Sequence, residues 1–285
     1  MKFIVTGASG YVGSQVIKKL RNKGHSAVSM NRTIKDENDT SIKRFYLGGN
    51  IDESIFKDAD VLIHCAFDFK EKSTNKSLNC NVVGSENLFK IANKYKVKIV
   101  YISTISAFEG CKSHYGQIKF EIEKLVMLYD GVTIRPGLVY GANSGGMVGS
   151  LNVATKKLKY LIPLIGNGNF KLYLAHVDDL CDFIHEISLF NNFVKSYLYS
   201  AANSNPIEFK ELLRVLAKNN ENNPFFISVP WFICLFGLRL LETLFTKMDF
   251  RSDSIISLVF ANKEVDFSLA NTLIKFREFS PDLLK

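Results

Sequence analysis

The sequence has little of what would mark a secreted, metal-bound or membrane-spanning chain. Its 285 residues hold five cysteines, Cys65, Cys80, Cys111, Cys181 and Cys234. Their odd number, wide spacing and lack of any CxxC pair argue against a disulfide framework, so the thiols read as reduced and the expected compartment is the cytoplasm. None of the five histidines sits in ligand spacing with a cysteine, and no metal is expected. There is one tryptophan and there are six prolines, with no proline-rich linker, low-complexity tract or internal repeat. No signal peptide is read at the start, because MKFIVTGASG suits a first strand better than a secretory segment. Long apolar runs are scarce too. The stretch from Phe225 to Leu241 is broken by Pro230 and closed by Arg239, and it falls short of the ~20 residues that a membrane helix needs. It reads as a buried or lobe helix, with peripheral membrane contact or a dimer surface as the alternatives.

Acidic residues are in the minority. Lys+Arg outnumber Asp+Glu by 36 to 28, a net charge of +8. The excess is spread over the chain in short clusters such as Lys94, Lys96, Lys98 and Lys156, Lys157, Lys159. That distribution reads as a solvated surface attractive to anionic small molecules. No basic stripe is interleaved with aromatics, so nucleic acid is not expected as a partner. Hydrophobic residues make up 47%, enough for a substantial core in one large domain or a domain with a smaller lobe.

Strand and helix patterns alternate through the first half. Lys2 to Thr6, Ser26 to Met30, Phe45 to Leu47, Ala59 to Cys65, Lys98 to Ser103 and Val132 to Arg135 read as strands. Tyr11 to Lys23, Ser77 to Tyr95 and Tyr115 to Tyr129 read as helices. The run ADVLIHC is apolar almost throughout, as a parallel strand covered on both faces requires. Beyond Pro136 come Gly137, Gly141, Gly145, Gly146 and Gly149. Helices are then expected at Met147 to Leu158 and Val177 to Phe190, with strands at Leu172 to Ala175 and Lys195 to Ser200. From about Asn203 the chain reads as helical and apolar. The expectation is an α/β fold, a doubly wound parallel sheet with a small, mainly helical C-terminal substrate lobe. Residues 1–140 and about 171–202 would form the sheet domain, and about 141–170 and 203–285 the lobe.

Gly7, Gly10 and Gly13 lie between the first strand and the first helix. In that context Gly7 permits a tight turn, Gly10 lets the backbone approach a pyrophosphate and Gly13 lets the helix pack on the sheet. The helix N-terminus offers free N–H groups to the phosphate, and Ser9, Tyr11 and Val12 flank it. The second strand ends in Asn31-Arg32 where an acid would select an unphosphorylated ribose. Arg32 can bind a 2′-phosphate by a charge-assisted fork, with Thr33 beside it, which favours NADP over NAD. Asn50 and Ile51 suit an adenine edge. Cys65, Ala66 and Phe67 end the fourth strand at the carboxyl edge where open sheets bind ligands. His64 reads as a packed strand residue.

Tyr115 and Lys119 share one face of a helix at a spacing of four. An ammonium ~4 Å from a phenol, in an effective dielectric near 20, is worth ~4 kcal/mol and would lower the phenol's pKa. Tyr115 could then exchange a proton with an alcohol or ketone. The preceding strand ends in Ser103, Thr104, Ile105 and Ser106. A hydroxyl there could bond the same oxygen, with Thr104 preferred to Ser103.

Together these motifs resemble the extended short-chain dehydrogenase/reductase family, particularly its NAD(P)-dependent nucleotide-sugar epimerases, dehydratases and reductases. TGASGYVG at Thr6 to Gly13 is similar to the family's cofactor signature, and IHCAF at Ile63 to Phe67 to its fourth-strand segment. Asn81 matches the asparagine of the long helix, and the resemblance implies that it helps to bind the cofactor. ISTIS at Ile102 to Ser106 and YGQIK at Tyr115 to Lys119 fall at the catalytic hydroxyl and the Tyr/Lys pair. RPGLVYG at Arg135 to Gly141 and HVDDL at His176 to Leu180 are also similar. The likeness spans roughly residues 1–200 and implies a Rossmann domain.

The resemblance further implies that Tyr115 and Thr104 bond a sugar oxygen, that Lys119 holds the nicotinamide ribose, and that Pro136 and Val139 line the cofactor. Ser106 and residues near Arg135 and Val139 would face the substrate, and Arg251 lies roughly where relatives bind a pyrophosphate. A homodimer is implied, with the helices at Ser77 and Tyr115 as contacts. The expected activity is 4-epimerisation or 4-ketoreduction of a nucleotide sugar. A 3β-hydroxysteroid-like or other apolar-alcohol dehydrogenase, suggested by the Phe225 to Phe245 segment, and a non-catalytic NAD(P)-binding protein are the alternatives. Three departures matter. Ile105 stands where dehydratases carry part of an Asp-Glu pair, which disfavours loss of water. Thr104 and Tyr115 are only eleven positions apart. Arg32 suits a reductase that exchanges NADPH better than an epimerase that keeps NAD.

Overall fold

The computed structural model describes residues 1–34, 39–71, 73–76, 78–190, 198–244 and 251–284. In chain order, β1 (Lys2–Thr6), α1 (Tyr11–Asn22), β2 (Ser26–Asn31), β3 (Ile42–Arg44), β4 (Val61–His64), α2 (Cys80–Lys94), β5 (Lys98–Ile102), α3 (His114–Leu128) and β6 (Val132–Pro136) alternate. They are followed by β7 (Leu138–Tyr140), α4 (Gly146–Lys157), β8 (Leu161–Ile165), β9 (Lys171–Leu172), β10 (Leu174–His176), α5 (Val177–Leu189) and β11 (Leu198–Ala201). β12 (Ile207–Glu208), α6 (Phe209–Asn219), β13 (Phe225–Val229), α7 (Trp231–Leu244), α8 (Ser252–Val259) and α9 (Ser268–Leu273) complete the order.

Seven strands form one parallel sheet in the order β11-β6-β5-β4-β1-β2-β3. The period-two alternation of a strand explains how helices cover both faces. Phe3 and Val5 of β1 point to the side where Val16, Ile17 and Leu20 of α1 pack with Leu180, Phe183 and Ile184 of α5. Ile4 points to the other side, against Leu88 and Phe89 of α2 and Ile118 and Ile122 of α3. Each fully buried side chain of this size contributes roughly 1.5–3 kcal/mol, so the two layers carry most of the fold's stabilisation.

A third cluster joins Val148 and Leu151 of α4, Ile162 and Leu164 of β8, Leu212 and Leu216 of α6, and Ile255 and Leu258 of α8. β13 pairs parallel with β8, so the region after Asn203 is not wholly helical. Phe267, Ala270 and Phe276, expected in the smaller lobe, pack into the α1/α5 layer of the sheet instead. The bidentate pair of Arg277 with Asp179 of α5 holds them there. The third strand is Ile42–Arg44 rather than Phe45 to Leu47. Phe45 follows the strand, donating its N–H to the Asn31 carbonyl at 2.8 Å, and its side chain is buried against the α2/α3 layer. Ser77, Lys195 and Phe245, which bounded expected segments, lie outside the described residues. No described helix is long and apolar enough to cross a membrane.

Candidate active site

The sheet order reverses between β1 and β4, so the loops after these strands flank a crevice at their carboxyl ends. Gly7 follows β1 with φ +64°, and its N–H donates to the Met30 carbonyl at 3.1 Å. A Cβ on Gly7 would lie 2.8 Å from the Ala66 backbone, and one on Gly13 only 2.4 Å from the Gly7 carbonyl oxygen. Both glycines are therefore dictated by contact and not by a preference for loops. Gly10 caps α1 without a side-chain bond, and the first turn holds no acidic residue. That leaves a helix N-terminus suited to an anion.

At the end of β2 the buried Asn31 Oδ1 has no hydrogen-bond partner among the described residues. A buried acceptor of this kind costs free energy until a donor such as a ribose hydroxyl meets it. Arg32 is exposed, and its Nη1 lies 3.6 Å from Asp68 Oδ1. Ser9 and Asn50 are exposed, whereas Tyr11, Val12, Ile51, Cys65, Ala66 and Phe67 are half-buried. The cradle, the anion-ready helix end and the orphaned oxygen fit a dinucleotide.

A polar chain fixes the β4 side of the crevice. Thr6 Oγ1 lies 2.6 Å from His64 Nδ1 and accepts the Ala66 N–H at 3.2 Å. His64 Nε2 meets Ser85 Oγ at 2.9 Å, and Ser85 donates to the Asn81 carbonyl at 2.6 Å. Asn81 spends both ends of its amide on Asp68, accepting its N–H at 2.6 Å and donating to its carbonyl at 3.1 Å. Asn81 was expected to bind cofactor, but its amide is thus committed to shaping the loop. Burial holds His64 down at about 3, with help from the Lys119 charge, so the ring is neutral as the chain requires. Burial also pushes the Cys65 thiol up to about 12, keeping it un-ionised.

Tyr115 and Lys119 open α3. Ser113 caps the helix by accepting the Gly116 N–H at 3.1 Å. A Cβ on Gly116 would lie 2.3 Å from the Ser106 carbonyl oxygen, so this glycine brings α3 against the Thr104–Ser106 loop. Tyr115 is half-buried, its ring edge-on to Phe67 at 4.9 Å and stacked on Phe69 at 5.5 Å. Phe67 directly follows Ala66, whose backbone meets Gly7, so the phenol and the phosphate cradle share one crevice.

Lys119 is buried, donates to the Ile102 carbonyl at 2.7 Å and lies over the Tyr101, Phe67 and Tyr115 rings at 4.7, 5.3 and 5.8 Å. The expected acidification of Tyr115 does not follow from this arrangement. Burial raises the phenol above its ordinary range, while burial lowers Lys119 to about 8. Desolvation outweighs attraction because the ammonium faces a carbonyl and ring faces. Tyr115 is therefore a protonated phenol at neutral pH.

Thr104 is half-buried, and its Oγ1 accepts the Ser106 N–H at 3.2 Å. Ser103 is buried and donates to Glu123. Glu123 also receives Arg135 through Nε at 2.9 Å and through Nη2. Ser103 and Arg135 are thus both engaged by Glu123. Pro136 is buried and Val139 half-buried beside the α1/α5 layer. Arg251 donates from Nη1 to the Phe69 carbonyl at 2.5 Å. Phe69, Asp253, Gly116 and Glu123 were not anticipated from the sequence. Glu123 continues the Tyr115/Lys119 face at a spacing of four, a signal that was there to read.

The sequence pattern of the NAD dependent epimerase/dehydratase family matches residues 3–195, well over half of the chain. The chain belongs to that family. It is an NAD-dependent enzyme of the extended short-chain dehydrogenase/reductase type. The epimerase/dehydratase chain is 24% identical to UDP-glucose 4-epimerase of Caenorhabditis elegans, covering 69% of this chain and 73% of that protein. It is 26% identical to CDP-abequose synthase of Salmonella muenchen, but there covers 41% of this chain and 42% of that protein, less than half its length. The structure of MoeE5 in complex with UDP-glucose and NAD superposes with a TM-score of 0.75 at 17% identity, covering 100% of this chain and 96% of that one. That likeness is one of fold.

Proposed function

We propose that the protein reduces a keto group of a nucleotide sugar, at C4, with Tyr115 giving the oxygen its proton as the carbon receives a hydride. The observation that carries the reading is the half-buried Tyr115 phenol, its ring edge-on to Phe67 and 5.8 Å from Lys119 Nζ, in the same crevice as the glycine cradle. A phenol that is protonated at neutral pH has a proton to give to the oxygen of the carbonyl that receives the hydride. Thr104 adds a second hydroxyl for the substrate oxygen, and Lys119 supplies a charge that binds a ribose hydroxyl. A reduced nicotinamide dinucleotide supplies the hydride when bound, and leaves oxidised. Gly7, Gly10, Gly13 and the start of α1 would hold its pyrophosphate, and Asn31 its adenosine ribose. Ser9, Tyr11, Val12, Cys65, Ala66 and Phe67 line that place.

NAD is the cofactor in this reading. The partnerless Asn31 Oδ1 asks for a hydroxyl donor, and the Asp68 carboxylate beside Arg32 weakens its pull on a 2′-phosphate. The 4-epimerase relative that covers 69% of the chain favours a second reading, inversion at C4, in which Tyr115 must also take a proton. Ile105 beside Thr104 leaves no acid pair for loss of water. Leu78, Met127 and Leu128, exposed near or on α2 and α3, support a homodimer through these helices.

Replacing Tyr115 with Phe should lower turnover of a 4-keto nucleotide sugar by about 100-fold or more while leaving NAD affinity within about twofold. Turnover equal to the parent enzyme would refute the assignment. Uridine or thymidine diphosphate should compete with the substrate, and an apolar-alcohol site would ignore both.

A further inference from the structure

We propose that Asp253 and Arg251 are positioning residues that hold Tyr115 in its working orientation, an inference that rests on the reading of Tyr115 as proton donor. The first N–H groups of a helix have no partner within it. At the start of α3, Ser113 takes only the Gly116 N–H through its side chain. The N–H groups of His114 and Tyr115 go one to each oxygen of the Asp253 carboxylate, at 2.8 and 2.9 Å. A carboxylate at this end also meets the positive end of the helix dipole. The cap for the tyrosine's own backbone therefore comes from a segment 138 residues away.

The same segment reaches the ring. Arg251 donates to the Phe69 carbonyl at 2.5 Å and lies over the Phe69 ring at 5.6 Å. Phe69 in turn stacks on the Tyr115 ring at 5.5 Å with 21° between planes. Between these two residues, Ser252 donates through its backbone and its hydroxyl to Glu242 of α7, at 2.7 and 2.9 Å. The Arg251–Asp253 turn is thus anchored on α7 and grips Tyr115 twice, by its backbone and through a ring laid on its side chain. The grip touches neither the glycine cradle nor Thr104. Losing it should misplace the phenol without emptying the cofactor site, and small misplacements of a reacting group cost large factors in rate.

The test compares Asp253→Ala, Asp253→Asn and Arg251→Met with the parent enzyme. Asn keeps one acceptor oxygen and Ala none. In Asp253→Ala, amide exchange over residues 113–117 should quicken by about tenfold, and kcat per folded molecule should fall by about tenfold or more. KM for the nucleotide sugar and affinity for NAD should stay within about twofold, and Asp253→Asn should recover part of both losses. Arg251→Met should lower kcat with the α3 amides still protected.

Unchanged kcat in Asp253→Ala would overturn the proposal. So would a fall in NAD affinity in step with kcat, which marks a general loosening. If Asp253→Ala does not fold, the Asn and Met variants decide on the same criteria. A parent enzyme inactive on every nucleotide sugar would refute the proposed function, and the exchange rates would then judge the grip alone, unchanged rates overturning it.

Discussion

The phosphate cradle and the proton-transfer group lie in one crevice but are built by different means. The cradle is local. Gly7, Gly10 and Gly13 come within seven positions, and its critical contacts are backbone against backbone. The proton-transfer group is gathered from afar. Phe67 and Phe69 follow β4, Thr104 follows β5, Tyr115 and Lys119 open α3, and Arg251 and Asp253 precede or begin α8. A site made of one turn, backed by the ends of β2 and β4, forms once the centre of the sheet is in place. A site made of four segments is correct only when the last of them has docked. The enzyme should therefore tolerate damage to its Arg251–Asp253 segment as a cofactor-binding protein while failing as a catalyst.

The sharpest way to break this contrast is to damage the cradle itself. A Cβ at Gly13 would stand 2.4 Å from the Gly7 carbonyl oxygen and 3.0 Å from Ala8 Cα, both backbone atoms that cannot turn aside. Gly13→Ala should cost about 1–3 kcal/mol of stability through overpacking. It should also weaken NAD binding by about tenfold or more, since the turn that presents the first N–H groups must shift. Isothermal titration with NAD and a thermal melt check both. Full NAD affinity in a stable Gly13→Ala protein would show that the cradle is looser than its contacts imply.

The bridge between the two regions runs through His64, and pH tests it. Native His64 is held at about 3 by burial, whereas the unfolded ring takes a proton near 6.5. Below pH 6.5 the unfolded state binds the extra proton, so stability rises with pH through this window and falls as pH drops from 6.5 toward 3. One such group gives a slope of at most about 1.4 kcal/mol per pH unit. His25 and His176 are also shifted down by burial and add to the slope in the same direction. Nitrogen-resolved NMR at pH 5 should show the His64 ring neutral with its proton on Nε2, donated to Ser85. A ring that titrates near pH 6 would break the chain linking Thr6 to Asn81.

Much of this was legible in the sequence, and what was not has physical reasons. The glycine turn, Tyr115, Lys119 and Thr104 announce themselves by spacing, because turn, helix face and strand end are local constraints. β3 was misplaced by three residues because the buried Phe45 that drew the reading lies just past the strand's end, while the strand itself, Ile42–Arg44, is mostly charged. β8 and β13 were missed because short strands inside apolar, aromatic stretches carry no clean period. Ser103 looked like a site residue by position, yet it donates to Glu123, which also receives Arg135. Asp253 left no local trace at all, since its meaning lies in two N–H groups on a distant helix.

The smallest expected effect concerns cofactor choice, at the rim where the cradle meets the loop that Asn81 shapes. Arg32 alone, read from the sequence, favours a 2′-phosphate. In the fold its Nη1 lies 3.6 Å from Asp68 Oδ1, and the side chain is 64% exposed. An exposed pair of this kind is worth about 0–1 kcal/mol. Arg32 is therefore neither locked away nor fully free to serve a phosphate. The buried Asn31 Oδ1 pulls the other way, since it can accept from a ribose hydroxyl but has no hydrogen to give a phosphate oxygen. Arg32→Ala should then leave NAD affinity within about twofold and weaken NADP by no more than about tenfold. Asp68→Asn, which keeps the loop's backbone bonds to Asn81, should strengthen NADP by a similar factor. Titrating both cofactors against the two variants decides the matter. A hundredfold loss of NADP in Arg32→Ala would mean that the guanidinium leaves Asp68 for the phosphate, and cofactor choice would then rest on Arg32 and not on Asn31.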